Sequence, residues 1–451
     1  MSVSSVTEPI KHSFRRRGAA ARSTGATSAP VPPVPPVATA ADIAEFLAWG
    51  TRLRRAGHLG DPTPHHRAHA GVRHALRAAP RAAFRAVARF GARVARDFGV
   101  TRARQFADVW WLGAHYGMTP ITYYRLQLYL PERRGQWHLY LHDAGTSNLL
   151  RYLFAQRPSA ERRALAHDKA YFASWCAERG FPAIGTVLSV GADAPPAPAD
   201  ALPAADLFTK PMNACQGQGA RRWRALAGGR YVEDDGTGAP AESVDAAGLI
   251  DELQAQAHAT GGAVVVQRVL ENHAGLRSLS RGGLATVRLL TYCMPDAPAG
   301  VIGAGLRMPR GDAPVDNLAA GGLVAPVDVA TGVLGAANTK HAARAGLRYA
   351  VHPDTGGVIA GARLPEWDAV VHLGLAAHDA VAAVVDGIPV IGWDVAITDD
   401  GPVLVELNTI PCVVGIQMTT GVPLGATPYV PAVLAQLRRL PAAAHRVRAA
   451  A

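Results

Sequence analysis

The sequence predicts an α+β protein in which a mainly helical N-terminal region precedes a region of mixed strands and helices. Residues 41 to about 160 show helical patterns, interrupted near residues 60–64 and again near 117–120. From residue 184 onwards strand and helix patterns alternate, as in α/β and α+β folds. The stretch 392–411, GWDVAITDDGPVLVELNTIP, has two apolar runs around Asp399-Asp400-Gly401, which predicts a buried β-hairpin.

Composition and charge limit the classes of protein to which the chain can belong. The 451 residues are 49% hydrophobic, enough for two or three domains, and contain no apolar run long enough to span a bilayer. The first residues lack the apolar stretch of a secretory signal, so we expect a cytoplasmic protein, with peripheral membrane association as an extension. The net charge of +11 favours anionic partners, but the 6% aromatic residues do not interleave with the basic runs, which disfavours nucleic-acid binding.

The cysteines lack the paired spacing of a zinc site and are interpreted as free thiols. They are Cys176, Cys215, Cys293 and Cys412.

The first 160 residues divide into a tail and a helical region. Residues 1–40 are basic and then rich in Ala and Pro, which is typical of a disordered segment. In one later helix an apolar stripe runs beside arginines that stay largely off it. The stripe consists of Phe84, Val87, Phe90, Val94 and Phe98. Such a helix could bind an acidic membrane surface or a biosynthetic partner, but packing on neighbouring helices is favoured by about two to one.

A lysine and a glycine-containing loop follow the apolar run at residues 207–211, LFTKP. The loop, NACQGQG at residues 213–219, would allow backbone N–H groups to approach a phosphate, and Lys210 would add a mobile positive charge. A hairpin turn with a solvated Lys210 would have a similar sequence, and the two interpretations are about equal. The glycine spacing fits neither a P-loop nor a dinucleotide-binding motif.

Three later strands carry polar side chains. Residues 262–270, GAVVVQRVL, predict a strand that ends in Gln267 and Arg268; such an edge can contact adenine and ribose, although an ordinary core strand is favoured if it stands alone. Arg288 and Arg307 each lie within a largely apolar strand, where arginine needs an anion or a carboxylate partner. A structural ion pair would explain either arginine, whereas the two together favour a site that faces phosphate.

The hairpin at residues 392–411 brings together the oxygen-bearing side chains of Asp394, Glu406 and Asn408. If residues 399–401 form a three-residue loop with Gly401 at positive φ, Asp394 faces Glu406 directly and Asn408 shares their face. Opposed carboxylates in an apolar setting are costly unless a cation lies between them, and Mg²⁺ prefers such oxygen ligands. A two-residue turn at positions 400 and 401 would place the two carboxylates on opposite faces, unless a bulge restored the register.

Taken in chain order, these segments resemble the ATP-grasp superfamily, specifically its sugar-transfer-associated branch, which is related to glutamate-ligase-like proteins. The resemblance covers about residues 165–425, and its last pair of segments is the most specific. The segments are DKAYF, FTKP with its glycine loop, VVVQRVLENH, TVRLLT, GLRM, DNLAAGG, and GWDVAIT with VELN. The segment GMTPITYYRLQLY, which contains Tyr123-Tyr124, also resembles the helical region that precedes the ATP-grasp part in that branch.

The resemblance implies an ATP-grasp fold, in which two α/β lobes clasp ATP, after a mainly helical region and a disordered basic tail. We expect a tail at residues 1–40, the helical region at 41–160, the N-terminal ATP-grasp part and lid at 161–275, and the catalytic C-terminal part at 276–440. The implied cofactors are ATP and Mg²⁺, with Mn²⁺ as an alternative ion. DKAYFASWCAERGF also predicts a helix from Lys169 to Arg179, with Asp168 as its N-cap and Gly180 after its end.

The resemblance also assigns roles to single residues. Those matched to phosphate binding and to the loop over the nucleotide are Lys169, Lys210, Gly217 and Gly219. Those matched to the adenine hinge and the ribose are Gln267, Arg268, Leu270, Glu271 and His273, where Gln267 departs from the glutamate often found in such hinges. Those matched to catalysis at the γ-phosphate or acyl phosphate are Lys210, Arg288 and Arg307. Those matched to the magnesium ligands are Asp394, Glu406 and Asn408.

The activity that the resemblance implies is ATP-dependent ligation of a carboxylate to an amine. A carboxylate would attack the γ-phosphate of ATP to form an acyl phosphate and ADP, and an amine would then displace phosphate to form an amide. The substrates would be small molecules, and the setting surface polysaccharide or peptide tailoring. Two alternatives are an ATP-dependent kinase on the same fold and a non-catalytic nucleotide-binding module of polysaccharide assembly, which the complete set of metal ligands disfavours.

Overall fold

The computed structural model describes residues 37–55, 72–195, 197–212, 219–234, 242–311 and 321–445. The predicted tail up to residue 36, Gly217, Cys215 and the Asp316-Asn317 pair lie outside these residues. Within them the predicted α+β architecture is confirmed, because a helical region precedes two antiparallel sheets. No helix in the described ranges is long and apolar enough to cross a membrane.

The predicted helical region begins at Ala40. Its helices are α1 (Ala40–Arg55), α2 (Val72–Phe98), α3 (Arg102–Tyr116), α4 (Pro120–Arg125), α5 (Pro131–Arg134), α6 (Asp143–Gln156), α7 (Ala160–His167) and α8 (Lys169–Glu178). The N-cap prediction for α8 is confirmed, because the Asp168 carboxylate accepts hydrogen bonds from the backbone N–H groups of Ala170 and Tyr171, each at 3.0 Å.

The apolar stripe of α2 packs against α4 and the turn that follows it. The ring of Phe90 lies 5.2 Å from that of Tyr124, and the ring of Phe98 lies 5.0 Å from that of Tyr129, measured between centroids. At the other end of the stripe Phe84 is 68% exposed. The interpretation of α2 as a helix packed on its neighbours therefore accounts for most of the stripe.

The first sheet and one helix form the middle of the chain. Its elements are β1 (Thr186–Val190), β2 (Leu207–Pro211), β3 (Arg221–Leu226), β4 (Arg230–Glu233), β5 (Ser243–Asp245), α9 (Ala246–Thr260) and β6 (Val264–Arg268). The strand order is β1-β6-β2-β3-β4-β5. Leu207, Val264 and Val266 share a core with Leu249 and Leu253 of α9, so α9 covers one face of the sheet. Polar residues at alternate positions of β2 and β6 lie on the other face.

The second sheet and its helices form the C-terminal part. Its elements are β7 (Thr286–Tyr292), β8 (Gly300–Met308), β9 (Leu323–Val327), β10 (Asn338–Thr339), α10 (Trp367–Val384), β11 (Val390–Thr398), β12 (Gly401–Asn408), α11 (Val413–Thr420), α12 (Tyr429–Arg438) and α13 (Ala442–His445). The strand order is β10-β9-β8-β7-β11-β12. Leu289, Trp393 and Val395 are buried with Val370 and Leu373 of α10, so α10 covers one face. The other face carries the charged residues.

Helix α11 packs closely on the charged face of the second sheet. A Cβ atom added at Gly305 would lie 2.7 Å from Cγ2 of Thr419 on α11 and 3.0 Å from Cγ2 of Val324. A Cβ atom at Gly303 would lie 3.4 Å from Cγ2 of Thr420, an ordinary contact. The close approach of α11 therefore requires a glycine at position 305 of β8.

The predicted three-residue loop of the β11–β12 hairpin is wrong. Thr398 pairs with Gly401, so the loop consists of Asp399 and Asp400 alone. Gly401 does have the expected positive φ, at +109°. Asp399 accepts a 2.7 Å hydrogen bond from the backbone N–H of Ala274, so a contact distant in sequence holds the turn. Local turn rules cannot include such a contact.

A β-bulge nevertheless restores the predicted register around the carboxylates. Val395 pairs with Leu404, whereas Asp394 pairs with Glu406, which leaves Val405 as an extra residue on β12. Asp394 and Glu406 therefore face each other across the two strands, as the metal hypothesis requires.

Candidate functional site

Asp394 occupies the centre of the charged face. Its carboxylate accepts hydrogen bonds from Nε of Arg288 at 2.5 Å and from Nη2 at 3.0 Å, and from Nη2 of Arg307 at 3.2 Å. Burial raises the pKa of Asp394, but the guanidinium groups of Arg288 and Arg307 outweigh this and hold the pKa below its ordinary value. The carboxylate partner that each strand arginine needed is thus the same residue.

Arg307 is positioned by a second partner that sequence reasoning missed. Its Nη2 also donates to Oγ1 of Thr286 at 3.1 Å, and Thr286 pairs with Arg307 across β7 and β8. A threonine at the start of ATVRLLTY is an ordinary strand residue, so only strand pairing could have revealed this role.

Two lysines approach the same carboxylates from outside the second sheet. Lys169, the first residue of α8, places Nζ 3.6 Å from Oε1 of Glu406. Lys210 is half-buried on β2, and its pKa is lowered to about 8: burial lowers it most and the charge of Lys169 adds to this, while Glu406 and Asp394 raise it. The structure therefore brings together both lysines predicted to bind phosphate and two of the residues predicted to bind metal.

The face of β2 and β6 that α9 does not cover continues the site away from the charges. Phe208 and Lys210 alternate along β2, with Nζ of Lys210 5.9 Å from the centre of the Phe208 ring. Phe208 pairs with Gln267, and Gln267 pairs with Thr186 of β1. Oε1 of Gln267 and Oγ1 of Thr186 are both buried, and neither has a hydrogen-bond partner among the described residues. Two orphaned acceptors beside an aromatic ring fit a ligand with a flat, hydrogen-bonding base.

The remaining hinge residues are less buried. Arg268 and Glu271 are exposed, and Leu270 and His273 are intermediate. Nδ1 of His273 accepts a 3.0 Å hydrogen bond from the N–H of Gly275, which leaves only Nε2 for a ligand. The ribose role of Glu271 or His273 stays a prediction.

Asn272 orders the segment between β6 and β7 and was not singled out from the sequence. It is buried, its amide nitrogen donates to the carbonyl of Gly283 at 2.9 Å, and its oxygen accepts from the N–H of Ala285 at 2.8 Å. An asparagine between two candidate ligands gives no local signal of burial.

The end of the glycine loop is tied to the first sheet and α9. Gly219 has φ of +68°, and its carbonyl accepts a 2.7 Å hydrogen bond from Nε2 of Gln256. A Cβ atom there would lie 3.1 Å from Pro211. Gly219 thus anchors the end of the loop, and its role over a nucleotide stays a prediction.

The predicted metal ligands suit a hard cation in atom type. Asn408 donates its amide nitrogen to the carbonyl of Gly392 at 3.2 Å, which leaves its oxygen for a cation, and Glu406 is partly exposed beside it on β12. Asp394 differs, since both of its oxygens already accept from arginines, and of its roughly four acceptor positions only one, on Oδ1, is left for a cation. No cluster of three His, Cys, Asp or Glu side chains able to hold a metal occurs in the described ranges. Carboxylate and amide oxygens nevertheless fit Mg²⁺.

The other side chains considered from the sequence are structural. Four tryptophans are buried in the core: Trp175, Trp223, Trp367 and Trp393. Cys176, Cys293 and Cys412 are free thiols. Burial raises the pKa of Cys412 to about 11, so this thiol stays protonated at neutral pH and is a poor nucleophile.

Comparison with known proteins identifies the region that carries these residues. The family described as sugar-transfer associated ATP-grasp matches residues 155–427. Among curated proteins no match was found.

Solved structures of ligases show a distant likeness to the chain. D-alanyl-alanine synthetase A from Vibrio cholerae is 14% identical, with 62% of this chain and 67% of that chain covered and a TM-score of 0.35. D-cycloserine synthetase DcsG is 16% identical, with 72% and 82% covered and a TM-score of 0.33. D-alanine-D-alanine ligase from Helicobacter pylori is 12% identical, with 66% and 71% covered and a TM-score of 0.37. These TM-scores are low, and the family match is what identifies the fold.

Proposed function

Because the chain belongs to the sugar-transfer-associated ATP-grasp family, we propose that it is an ATP- and Mg²⁺-dependent ligase that joins a carboxylate to an amine through an acyl phosphate. The substrates are small molecules, and the proposed setting is the tailoring of surface polysaccharides or peptides. Membership of the family implies a fold that binds ATP. The reaction itself has to be argued from the residues of the site.

The observation that carries the proposal is the meeting of four cations and two carboxylates from separate elements. Lys169 contacts Glu406, and Arg288 and Arg307 contact Asp394. Lys210 is half-buried, and the charges of both carboxylates raise its pKa, so it lies close to them. Such an excess of positive charge over the two carboxylates suits a ligand with several negative charges. A triphosphate has that chemistry.

Phosphoryl transfer needs positioning and neutralisation of charge more than an acid or a base. The substrate carboxylate oxygen forms a bond to the γ-phosphorus while the bond to the β-phosphate oxygen breaks, and ADP leaves. Lys210, Arg288 and Arg307 would offset the charge that moves between these oxygens, with the two arginines already oriented by Asp394. A Mg²⁺ ion held by Glu406, Asn408 and Asp394 would supply further neutralisation of the phosphates. The amine then bonds to the acyl carbon, phosphate leaves, and the amine gives up a proton.

Trapping of the activated carboxylate tests the proposal. The full-length protein is incubated with ATP, Mg²⁺, hydroxylamine and a panel of amino acids and sugar acids, and ADP and hydroxamate are measured. We expect both products with at least one acceptor, and their loss in Lys210→Gln. Arg277→Gln removes a cation from an exposed ion pair with Asp399 and should retain activity.

Two other outcomes would overturn the ligase proposal. Phosphate retained on a stable acceptor product would indicate a kinase. ATP binding without ADP from any acceptor would indicate a nucleotide-binding module.

A further inference from the structure

Arg125 and Lys340 form a pair of cations beside the candidate site. Arg125 is the last residue of α4, and its Nε donates a 3.0 Å hydrogen bond to the backbone carbonyl of Lys340. Both side chains are partly buried. Tyr123 and Tyr124 of α4 lie in one core with Val414 of α11, so the position of α4 on α11 is fixed by packing.

The pair lies at the beginning of α11. Burial lowers the pKa of Arg125, while the charges of Cys412 and Asp143 raise it, and Lys340 in turn lowers the pKa of Cys412. Cys412 is the N-cap of α11, so both cations lie close to that end of the helix.

Among the described residues, the carboxylate whose charge acts on Arg125 is already engaged. Asp143 accepts from the N–H of Val414 at 3.1 Å and from the thiol of Cys412 at 3.4 Å. Among the described residues, neither Arg125 nor Lys340 forms an ion pair with a carboxylate, in contrast to the partly buried Arg134 and Arg310. Two partly buried cations that form no ion pair with a carboxylate among the described residues favour the binding of an external anion.

Pro411 connects the pair to Arg288 of the candidate site. A Cβ atom added at Gly392 would lie 3.0 Å from Cβ of Pro411 and 3.7 Å from Nη1 of Arg288, so Arg288 and Pro411 lie side by side. Cys412 follows Pro411 directly, and consecutive Cα atoms are about 3.8 Å apart. A molecule whose reacting carboxylate lies near Arg288 could therefore extend towards Arg125 and Lys340.

We propose that Arg125 and Lys340 bind a second acidic group, a carboxylate or a phosphate, of the substrate that is activated beside Arg288. The inference rests on the proposed ligase function and specifies its substrate class as a molecule with two acidic groups. Arginine supplies paired planar donors for such a group, and lysine adds a point charge.

The proposal is tested by measuring how diacids bind to the full-length protein. Mg²⁺ and a non-hydrolysable ATP analogue are present, so that the γ-phosphate position is filled. The probes are malonate, succinate, glutarate and adipate, each with its monoamide, and 3-phosphonopropionate for the phosphate arm; isothermal titration gives Kd. We expect at least one diacid to bind the wild type at least about tenfold more tightly than its monoamide. Whether the dicarboxylates or the phosphonate bind better distinguishes the two acidic groups.

The variants separate binding from structure. Lys340→Gln removes the charge but keeps the hydrogen bond from Arg125, because that bond uses the backbone carbonyl. This variant should raise the Kd of the diacid by about tenfold or more. Arg125→Gln should do the same, and the matched control Arg344→Gln, an exposed arginine nearby, should not. Equal Kd values in the wild type and Lys340→Gln, or no preference for diacids in the wild type, would overturn the inference. If the ATP analogue itself fails to bind, the proposed function fails instead.

Discussion

Asp394 shows how one buried side chain can organise several charges. The sequence predicts that Arg288 and Arg307 each need an anion, but the identity of the partner depends on strand order. Strands β8, β7 and β11 are neighbours, and only that order places both arginines beside the same carboxylate. No local pattern determines strand order. The requirement of the two arginines for an anion was therefore predictable, but its identity as Asp394 was not.

The first prediction concerns the stability that Asp394 provides. Asp394→Asn keeps the size of the side chain but leaves two partly buried guanidinium groups without a carboxylate, so we expect a loss of about 3 kcal/mol in the free energy of unfolding. Urea denaturation measures it. Asp399→Asn is the matched control at the tip of the same hairpin, where the pair with Arg277 is half exposed. The asparagine oxygen can still accept from the N–H of Ala274, so this variant should have little effect. Equal losses in the two variants would contradict the central role of Asp394.

The second prediction concerns the charge of Lys210. Its pKa of about 8 in the free protein means that the ammonium loses its proton as the pH rises past that value. A bound triphosphate favours the protonated form, so binding must take up a proton above about pH 8. The Kd for ATP should change little between about pH 7 and 8 and increase by up to roughly tenfold per pH unit above that range.

Titration of a fluorescent ATP analogue across this pH range measures the effect. Lys210→Arg keeps a positive charge at every pH used and should remove the dependence. A dependence unchanged in that variant would assign it to another group.

At the scale of elements, the β11–β12 hairpin combines a correct and a wrong prediction for separate reasons. The apolar runs and Gly401 predicted the hairpin, because these signals are local. In the two-residue turn Asp399 contacts the segment after β6, and the bulge at Val405 compensates for the shift in register. The predicted three-residue loop was therefore wrong, although the predicted pairing of Asp394 with Glu406 was right.

The third prediction tests the packing of α11 on the second sheet. Gly305→Ala places Cβ 2.7 Å from Cγ2 of Thr419, so α11 or β8 must move, and we expect a loss of about 1–3 kcal/mol in stability. Gly303→Ala meets only an ordinary contact and serves as the matched control. Thr419→Ser removes the clashing methyl group but retains the hydroxyl that bonds to Gly415, so it should restore part of the loss when combined with Gly305→Ala. Thermal unfolding of the wild type, the two single glycine variants and the combined variant measures these differences in stability.

At the scale of the whole molecule, the fold was predictable in its class and less so in its geometry. The change from helical to mixed patterns, and the order of the motifs, indicated a helical region followed by an ATP-grasp fold, which the family match over residues 155–427 confirms. The pairing of Gln267 with Thr186, and the position of Arg125 beside Lys340, join residues far apart in the chain. Such contacts arise from tertiary packing, which periodicity does not encode.

The last prediction concerns acid stability, which depends on a histidine in the core between α10 and the second sheet. His378 is fully buried, its Nδ1 lies 2.7 Å from Oγ1 of Thr291, and burial lowers its pKa from 6.5 to about 4. Between these values the unfolded chain binds a proton that the folded protein does not, so stability should fall as the pH decreases from 6.5 to 4. The contribution of this residue is about 3 kcal/mol over that range.

Urea denaturation at several pH values measures this contribution. His378→Gln keeps a hydrogen-bonding side chain but cannot take up the proton, so the fall in stability between pH 6.5 and 4 should be smaller than in the wild type. His372→Gln changes an exposed histidine on the same helix and should leave the fall unchanged. If both variants behave like the wild type, carboxylates rather than His378 govern acid unfolding.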